Sequence, residues 1–213
     1  MHKYNKNLPK KILAWYDNNK RTLPWRISQK SKKKHYYRIL SEFMLQQTQV
    51  KTVIPYFKNF VKKIPNLKVL SLNKEKRVLK LWEGLGYYRR AKNLHKTSKI
   101  LVKKYNSQIP KNYEELKALP GIGDYTANIL LALIYNQPRI ALDGNVKRVL
   151  SRLTNIKAEN AANLFKTERN ADLAEALMEF GALICKPKEP LCYKCKIKKS
   201  CKFFSAKTKI KLK

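Results

Sequence analysis

Hydrophobic residues recur along this chain at the three- and four-residue spacing of amphipathic helices. The spacing is clearest in three stretches, namely Ile12, Leu13, Trp15 and Tyr16, then Val50, Val53, Ile54, Phe57, Phe60 and Val61, then Val78, Leu79 and Trp82. Residues that cap or break helices separate the helical stretches, at Asn66, Asn73, Gly84, Gly86, Asn112, Gly121, Gly123 and Asp143. No segment alternates convincingly with a period of two. The pattern therefore predicts a mainly α protein.

The charge of the chain indicates what kind of partner it binds. There are 48 Lys and Arg against 14 Asp and Glu, a formal net charge of +34 spread from Lys3 to Lys213. Part of the excess is typical of a Lys-rich composition that solvates the surface, but the remainder favours an acidic polymer, bound with a steep salt dependence. Nucleic acid is the favoured partner. A membrane is not, because the longest apolar run, residues 127–135, is too short to span one.

Cysteine usage points to a metal site. Residues 1–17 lack the apolar stretch of a signal peptide, so we expect a cytoplasmic, nucleoid-associated protein, in which cysteines are more often metal ligands than disulfides. Six, two and five residues separate the four cysteines, Cys185, Cys192, Cys195 and Cys201. Four thiolates in such a loop can hold zinc or a [4Fe–4S] cluster. Zinc sites more often have two close pairs of cysteines, so the spacing favours the cluster.

The segment 119–127, Leu-Pro-Gly-Ile-Gly-Asp-Tyr-Thr-Ala, places two glycines in a tight turn between helical patterns. Gly121 and Gly123 let the backbone approach a partner closely, and the N–H groups that open the next helix can hold a phosphate. An ordinary corner between two helices would give the same pattern. In a chain of this charge, we expect a helix–hairpin–helix motif that binds the DNA backbone.

Two carboxyl groups are candidate catalytic residues. Glu42 lies inside an apolar helical stretch and is followed by the amide-rich run 45–49, Leu-Gln-Gln-Thr-Gln. Partial burial there would raise its pKa and suit it to proton donation, whereas the alternative is a capping or surface glutamate. Asp143 precedes the helical stretch 144–150 and is expected to cap it, which does not exclude a second role.

Several stretches together resemble the adenine DNA glycosylases (the MutY family) of the endonuclease III helix–hairpin–helix superfamily. In the family's order, they are residues 23–26, 41–50, 84–88, 119–127, 142–150 and the cysteine loop. The resemblance implies a helix–hairpin–helix DNA glycosylase fold with two helical lobes and a C-terminal four-cysteine iron–sulfur loop. Its implied organisation is a helical glycosylase domain over 1–184, the [4Fe–4S] cluster loop over 185–201 and a basic tail over 202–213. Within the domain, a six-helix lobe with the hairpin would span roughly 27–142, and the N-terminal helix with 143–184 would form the second lobe.

The resemblance also implies an activity. Where lyase-active endonuclease III enzymes carry a hairpin lysine that attacks the sugar, this chain has Tyr125, which implies a monofunctional glycosylase with Tyr125 lining the active site. The run after Glu42 resembles the adenine-specific branch rather than the thymine–mismatch branch. Glu42 would protonate adenine N7, and Asp143 would stabilise the resulting oxocarbenium ion or trap it before water attacks. The expected reaction is hydrolytic release, in base excision repair, of adenine mispaired with 8-oxoguanine or guanine.

Further residues are implied in binding, each with packing as the alternative. They are Trp25, Arg26 and Leu45 in the adenine pocket, Gln47 and Tyr87 as wedges in the base stack, and Gly121, Gly123, Asn145, Lys147 and Arg148 at the DNA backbone. The expected partner is double-stranded DNA containing adenine opposite 8-oxoguanine or guanine. We expect a monomer that does not bind membranes.

The sequence departs from the family pattern in places. The family usually continues past the cluster into a Nudix-like domain that helps to recognise 8-oxoguanine, and the resemblance here covers the catalytic and cluster region only. The family's Pro-Tyr element before the catalytic helix is His35-Tyr36, a change that bears on the position of Arg26. Two alternative functions stay open: a glycosylase for another mispaired base, such as thymine opposite guanine, and a catalytically inactive DNA-binding protein. The amide-rich run and the two carboxyls argue against them.

Overall fold

The computed structural model describes residues 7–162, 165 and 167–210, with the backbone alone over 207–210. Its α-helices are α1 (Leu8–Asn19), α2 (Lys34–Leu45), α3 (Val50–Lys63), α4 (Leu67–Leu72), α5 (Glu75–Trp82), α6 (Arg89–Tyr105), α7 (Tyr113–Lys117), α8 (Asp124–Tyr135), α9 (Gly144–Thr154), α10 (Ala158–Ala162), α11 (Asn170–Leu183) and α12 (Lys202–Ile210). Short 3-10 turns at Cys192–Lys194 and Lys198–Ser200 precede α12. No β-strand occurs in the residues described, and the predicted mainly α class is confirmed.

The chain divides into two compact units. Unit 1 combines Met1–Arg21 with Tyr135–Lys213, and unit 2 is Thr22–Ile134. Unit 2 contains the helices α2 to α8, seven in all, where the resemblance implies six over roughly 27–142. Two of them, α4 and α7, are only six and five residues long, too short to give a clear hydrophobic period.

Asparagine caps begin these two short helices. The side-chain oxygen of Asn66 accepts a hydrogen bond from the N–H of Val69 at 2.8 Å. That of Asn112 accepts from Glu114 and Glu115 at 2.8 and 3.1 Å. Each cap satisfies N–H groups that have no acceptor within the helix, a contribution of about 1 kcal/mol. Both asparagines belong to the helix boundaries that the sequence predicts.

Helix α8 supplies much of the core of unit 2. Residues 126–127 and 129–134 are all buried, so the apolar run 127–135 is a core helix. Elsewhere in the unit, the rings of Phe60 and Trp82 meet edge to face at 6.1 Å, and both are fully buried. In the part of the chain that the structure describes, no helix is long and apolar enough to cross a membrane.

Buried acids tie the two ends of unit 1 together. The hydroxyl of Tyr16 on α1 donates to Oε2 of Glu175 on α11 at 2.5 Å. Arg21 donates to the two carboxylate oxygens of Glu179 at 2.8 and 2.9 Å, and Glu179 is only 1% exposed. A buried carboxylate is tolerated when it is paired, so these contacts explain why the N-terminal helix belongs with the C-terminal part of the chain.

The predicted basic tail includes a helix. Residues 202–210 form α12, and the ring of Phe203 lies 4.7 Å from the guanidinium carbon of Arg152 on α9. This cation–π contact attaches the start of the helix to α9, and the backbone hydrogen bond from Ser205 N–H to Cys201 O at 3.1 Å closes its first turn. Residues 211–213 of the predicted tail lie outside the described residues, as do residues 1–6, 163, 164 and 166 of the predicted glycosylase domain.

Candidate active site

The predicted hairpin is formed by α7, a turn over residues 118–123, and α8. Within the turn, the N–H of Ile122 donates to the carbonyl of Leu119 at 3.2 Å. The hydroxyl of Thr97 on α6 donates to the carbonyl of Pro120 at 2.9 Å. The turn is therefore anchored to a long helix, while the first N–H groups of α8 have no acceptor within their own helix. Such N–H groups can bind a phosphate.

The two hairpin glycines meet different requirements. Gly121 has a φ of +79°, and a Cβ added there would lie 2.8 Å from both Asn93 Cβ and Phe43 Cε1. Gly123 has no atom within 4 Å of such a Cβ. Gly121 is needed for the backbone conformation and for close packing, whereas Gly123 leaves open space. Tyr125, the second residue of α8, is half-buried.

One carboxylate stands at the beginning of α8. Asp124 accepts a hydrogen bond from the hydroxyl of Tyr113 at 2.5 Å and pairs with the ammonium group of Lys117. The hydrogen bond from Lys117, then that from Tyr113, lowers the pKa of Asp124. The hairpin therefore carries a fixed negative charge close to the amides that are predicted to bind phosphate.

Glu42 is buried near the C-terminal end of α2. Every residue over 38–44 of this helix is buried, and Glu42 itself is 8% exposed. The structure thus excludes the surface alternative for this glutamate. The chain leaves the helix directly after Leu45, which is half-buried, and Gln47 is exposed with a φ of +56°. The amide of Gln46 donates to the carbonyl of Gly121 at 3.4 Å, which brings the end of α2 to the hairpin.

The predicted wedge residue Tyr87 lies on a tight turn between α5 and α6. Its side chain is 63% exposed and its φ is +49°, and the two glycines of the turn, Gly84 and Gly86, also have positive φ. The indole N–H of Trp82 donates to the carbonyl of Gly86 at 3.1 Å and stabilises the turn. Non-glycine residues seldom adopt such backbone angles outside functional or tightly constrained turns. Tyr87 shares this feature with Gln47, the other predicted wedge residue.

The residues predicted for the adenine pocket are more buried than the wedges. Trp25 is 3% exposed and meets Phe57 edge to face at 5.3 Å, which favours a packing role. Arg26 is half-buried. The family's Pro-Tyr element is replaced at His35, whose Nδ1 accepts a hydrogen bond from the N–H of Ile109 at 2.9 Å. This contact ties the start of α2 to the segment before the hairpin.

Asp143 begins α9 in unit 1. Its Oδ1 accepts from the N–H of Val146 at 2.7 Å, the expected capping contact, and the amide of Asn145 donates to its Oδ2 at 3.3 Å. Arg148 in turn donates to Oδ1 of Asn145 at 2.7 Å and to the carbonyl of Cys185 at 2.8 Å. A chain of hydrogen bonds therefore links the candidate catalytic aspartate to the first cysteine of the loop.

The two basic residues of α9 that are predicted to contact DNA, Arg148 and Lys147, have different surroundings. Arg148 also donates to the carbonyls of Gly144 and Gly181, at 3.1 and 2.9 Å. Its guanidinium is thus engaged within unit 1, and the geometry favours a scaffold role over the phosphate contact predicted from the sequence. Lys147 is exposed, and its amine lies 3.6 Å from a carboxylate oxygen of Glu159, a weak surface pair that leaves it available to a phosphate.

The four cysteines are free thiols that line one small cavity of unit 1. Burial is the main cause that raises the pKa of Cys195 to about 11, and it also raises the pKa of Cys201. Arg152 places a cation beside the loop: its Nη1 donates to Cys185 Sγ at 3.6 Å, and its Nη1 and Nη2 donate to the carbonyls of Lys186 and Pro187, both at 2.7 Å. Across the described ranges, no group of three or more His, Cys, Asp or Glu is arranged to hold a single metal ion.

Comparison with known protein families decides the family of this chain. Residues 40–174 match the family described as HhH-GPD superfamily base excision DNA repair protein. The chain belongs to this superfamily. The match begins in α2 and ends in α11, so it includes Glu42, the hairpin and Asp143.

Adenine DNA glycosylases from strains of Buchnera aphidicola are among the relatives of this chain. One, from subspecies Baizongia pistaciae, is 44% identical over 204 residues, which are 91% of this chain and 57% of the relative. Another, from subspecies Schizaphis graminum, is 39% identical over 214 residues, which are 94% of this chain and 60% of the relative. The chain thus spans less than two thirds of either relative. Among solved structures, a thermostable thymine-DNA glycosylase matches with a TM-score of 0.83 at 24% identity, covering 94% of this chain and 96% of its own, which confirms the fold.

Sequence reasoning missed one residue that joins parts of the site in this superfamily member. Arg90 on α6 is 7% exposed, and its guanidinium contacts both the end of α2 and the turn that carries Tyr87. One indication of this role is present in the sequence. Arg90 stands between the predicted wedge residue Tyr87 and the apolar residues Ala91 and Leu94, which α6 buries. An arginine at such a position is seldom buried without partners.

Proposed function

We propose that this chain is a monofunctional adenine DNA glycosylase of base excision repair. It hydrolyses the N-glycosidic bond of adenine mispaired with 8-oxoguanine or guanine in double-stranded DNA. The observation that carries the proposal is the buried Glu42 at the end of α2, followed at once by the exposed turn of Gln47, in a chain whose named relatives are adenine DNA glycosylases. The protein acts as a monomer in the cytoplasm, associated with the nucleoid.

The first step of the proposed reaction is removal of the adenine from the base stack. Flipping a base costs roughly a few kcal/mol, and less where the base is mispaired. Gln47 and Tyr87 are both exposed on strained turns, so we propose that they fill the gap that the adenine leaves. The N–H groups that open α8 and the amine of Lys147 hold the phosphates.

The second step breaks the bond between the sugar and the base. Glu42 donates a proton to adenine N7, and the electrons of the C1′–N9 bond leave with the base. Positive charge then builds on the sugar, and the carboxylate of Asp143 stabilises it. Water adds to C1′ and loses a proton, which leaves an abasic site and free adenine. The hairpin offers Tyr125 rather than an amine, so no covalent imine forms with the sugar and the strand stays intact.

The four cysteines are proposed to hold a [4Fe–4S] cluster. Their convergence on one cavity and the guanidinium of Arg152 beside Cys185 suit a group that is bound by thiolates. Bound there, the cluster supplies a structural anchor for the basic loop around Lys194, Lys196, Lys198 and Lys199. Cys192→Ser should remove the brown absorbance of the purified protein. A colourless parent protein that contains zinc would overturn this assignment.

A single-turnover assay tests the function. Purified, anaerobically prepared protein is mixed with duplexes that contain A opposite 8-oxoguanine, A opposite G, T opposite G or A opposite T, and abasic sites are revealed with alkali. We expect cleavage only at mispaired adenine. Glu42→Gln, which keeps the shape of the side chain but cannot donate the proton, should bind these duplexes without releasing the base. Release of thymine opposite guanine, or tight binding without any release by the parent, would refute the proposal.

A further inference from the structure

The guanidinium of Arg90 contacts two separate segments of unit 2. Its hydrogen bonds within the described part of the chain all go to carbonyls, and these belong to the end of α2 and to the turn between α5 and α6. Its acceptors are Phe43 O at 3.2 Å, Met44 O at 2.7 Å and Gln46 O at 2.5 Å from Nη1, and Leu85 O at 3.3 Å and Gly86 O at 3.1 Å from Nη2. One side chain therefore fixes two segments that lie about 40 residues apart in the chain.

The end of α2 needs such a partner. The last carbonyls of a helix have no donor within the helix, and the helix dipole makes that end negative. Here the backbone turns away directly after Leu45 and enters the left-handed region at Gln47, so a cation at this end both pairs the carbonyls and stabilises the turn. A guanidinium presents several donors in a fixed plane, which the single ammonium group of lysine cannot reproduce.

The second segment is held in the same way. Gly86 O accepts both from Nη2 of Arg90 and from the indole N–H of Trp82. The guanidinium carbon lies 5.5 Å from the ring of Trp82 and 5.4 Å from the ring of Tyr87. Tyr87 is thus in contact with a buried cation, although the residue itself is largely exposed.

We propose that Arg90 is a positioning residue that holds Gln47 and Tyr87 as one rigid wedge. The proposal rests on the proposed function, since it takes these two side chains as the groups that enter the base stack. Because the same guanidinium holds the carbonyls of Phe43 and Met44, it also fixes the helical turn that carries Glu42. Arg90 does not touch the substrate. Its loss should impair unstacking and base release, and leave contacts of the hairpin with the phosphates unchanged.

Arg90→Lys tests the proposal, with the exposed neighbour Arg89→Lys as the matched control. The target adenine lies opposite 8-oxoguanine, and a 2-aminopurine beside it reports unstacking by stopped-flow fluorescence. Base release is measured in single turnover. Arg90→Lys should lower the rate of base release on the order of a hundredfold and the fluorescence change with it, because small misplacements of active-site groups are that costly. Affinity for undamaged duplex should stay at the parent value. Arg89→Lys should leave both unstacking and release unchanged.

Double-mutant cycles separate positioning from general stability. Arg90→Lys should have little further effect on unstacking in a Tyr87→Ala background, since residues that act as a unit are not additive. The effects of Gln47→Ala and Tyr87→Ala on unstacking should likewise be non-additive when Arg90 is intact. This second cycle tests the rigid wedge even if the arginine variants fold poorly. Additive effects in both cycles, or normal unstacking by a folded Arg90→Lys protein, would overturn the proposal. A parent protein that unstacks DNA but releases no adenine would instead count against the proposed function.

Discussion

Replacement of Gly121 by alanine gives a sharp test of how the hairpin is built. The residue has a φ of +79°, a region that L-residues with a Cβ seldom adopt. An alanine Cβ would lie 2.8 Å from Phe43 Cε1 on α2 and 2.8 Å from Asn93 Cβ on α6. Neither neighbour can move easily, because Phe43 is fully buried and Asn93 would have to shift at its own Cβ.

The expected loss of stability follows from these two effects. The left-handed backbone conformation costs an alanine about 1–2 kcal/mol. Overpacking by one methyl group in a filled site costs about 1–3 kcal/mol more. Gly121→Ala should therefore lower the free energy of unfolding by about 2–5 kcal/mol, a large part of the stability of an ordinary domain.

Gly123→Ala is the matched control, since it changes the same motif by the same atoms. A Cβ at Gly123 meets nothing within 4 Å, and the remaining cost is that of alanine in place of glycine before the first turn of a helix, about 1 kcal/mol or less. Urea denaturation followed by circular dichroism measures both variants. Equal destabilisation by the two substitutions would refute the steric reasoning, and so would a Gly121→Ala protein as stable as the parent.

Three further predictions address the site. Tyr125→Lys should create a covalent complex with DNA that borohydride traps, and failure to trap any would mean that residue 125 is not beside the sugar. His35 is held neutral in the fold because burial, then Lys34, lowers its pKa to about 4 from 6.5, so the unfolded chain binds more protons in this window. The free energy of unfolding should thus fall as the pH drops from about 6.5 towards 4, and it should fall less in His35→Gln. Urea titrations at pH 7 and pH 5 measure this loss in both proteins, and an equal loss in the two would contradict the reasoning. Asp124→Asn removes a negative charge beside the hairpin amides and should tighten duplex binding about two- to fivefold at low salt, with the gain lost at high salt; unchanged affinity would show that Asp124 is remote from the DNA.

The sequence alone determined the features that depend on near neighbours in the chain. Hydrophobic spacing predicts a mainly α fold because a helix repeats every few residues. The capping role of Asp143 and the turn at Gly121 are likewise local, since the groups involved lie within three or four residues. The resemblance between motifs in fixed order could therefore identify the superfamily without any coordinates.

Only the tertiary structure decided which charged side chains belong to the scaffold. The acceptors of Arg90 include carbonyls up to 47 residues away, and those of Arg148 include Cys185 at 37 residues. In sequence, Arg148 and Lys147 are adjacent cations, yet one is engaged by the protein and the other is exposed. Trp25 is similarly placed against Phe57 by packing between distant segments. Spacing along the chain carries no record of these partners, because hydrogen bonds and burial depend on distances in space that folding alone sets.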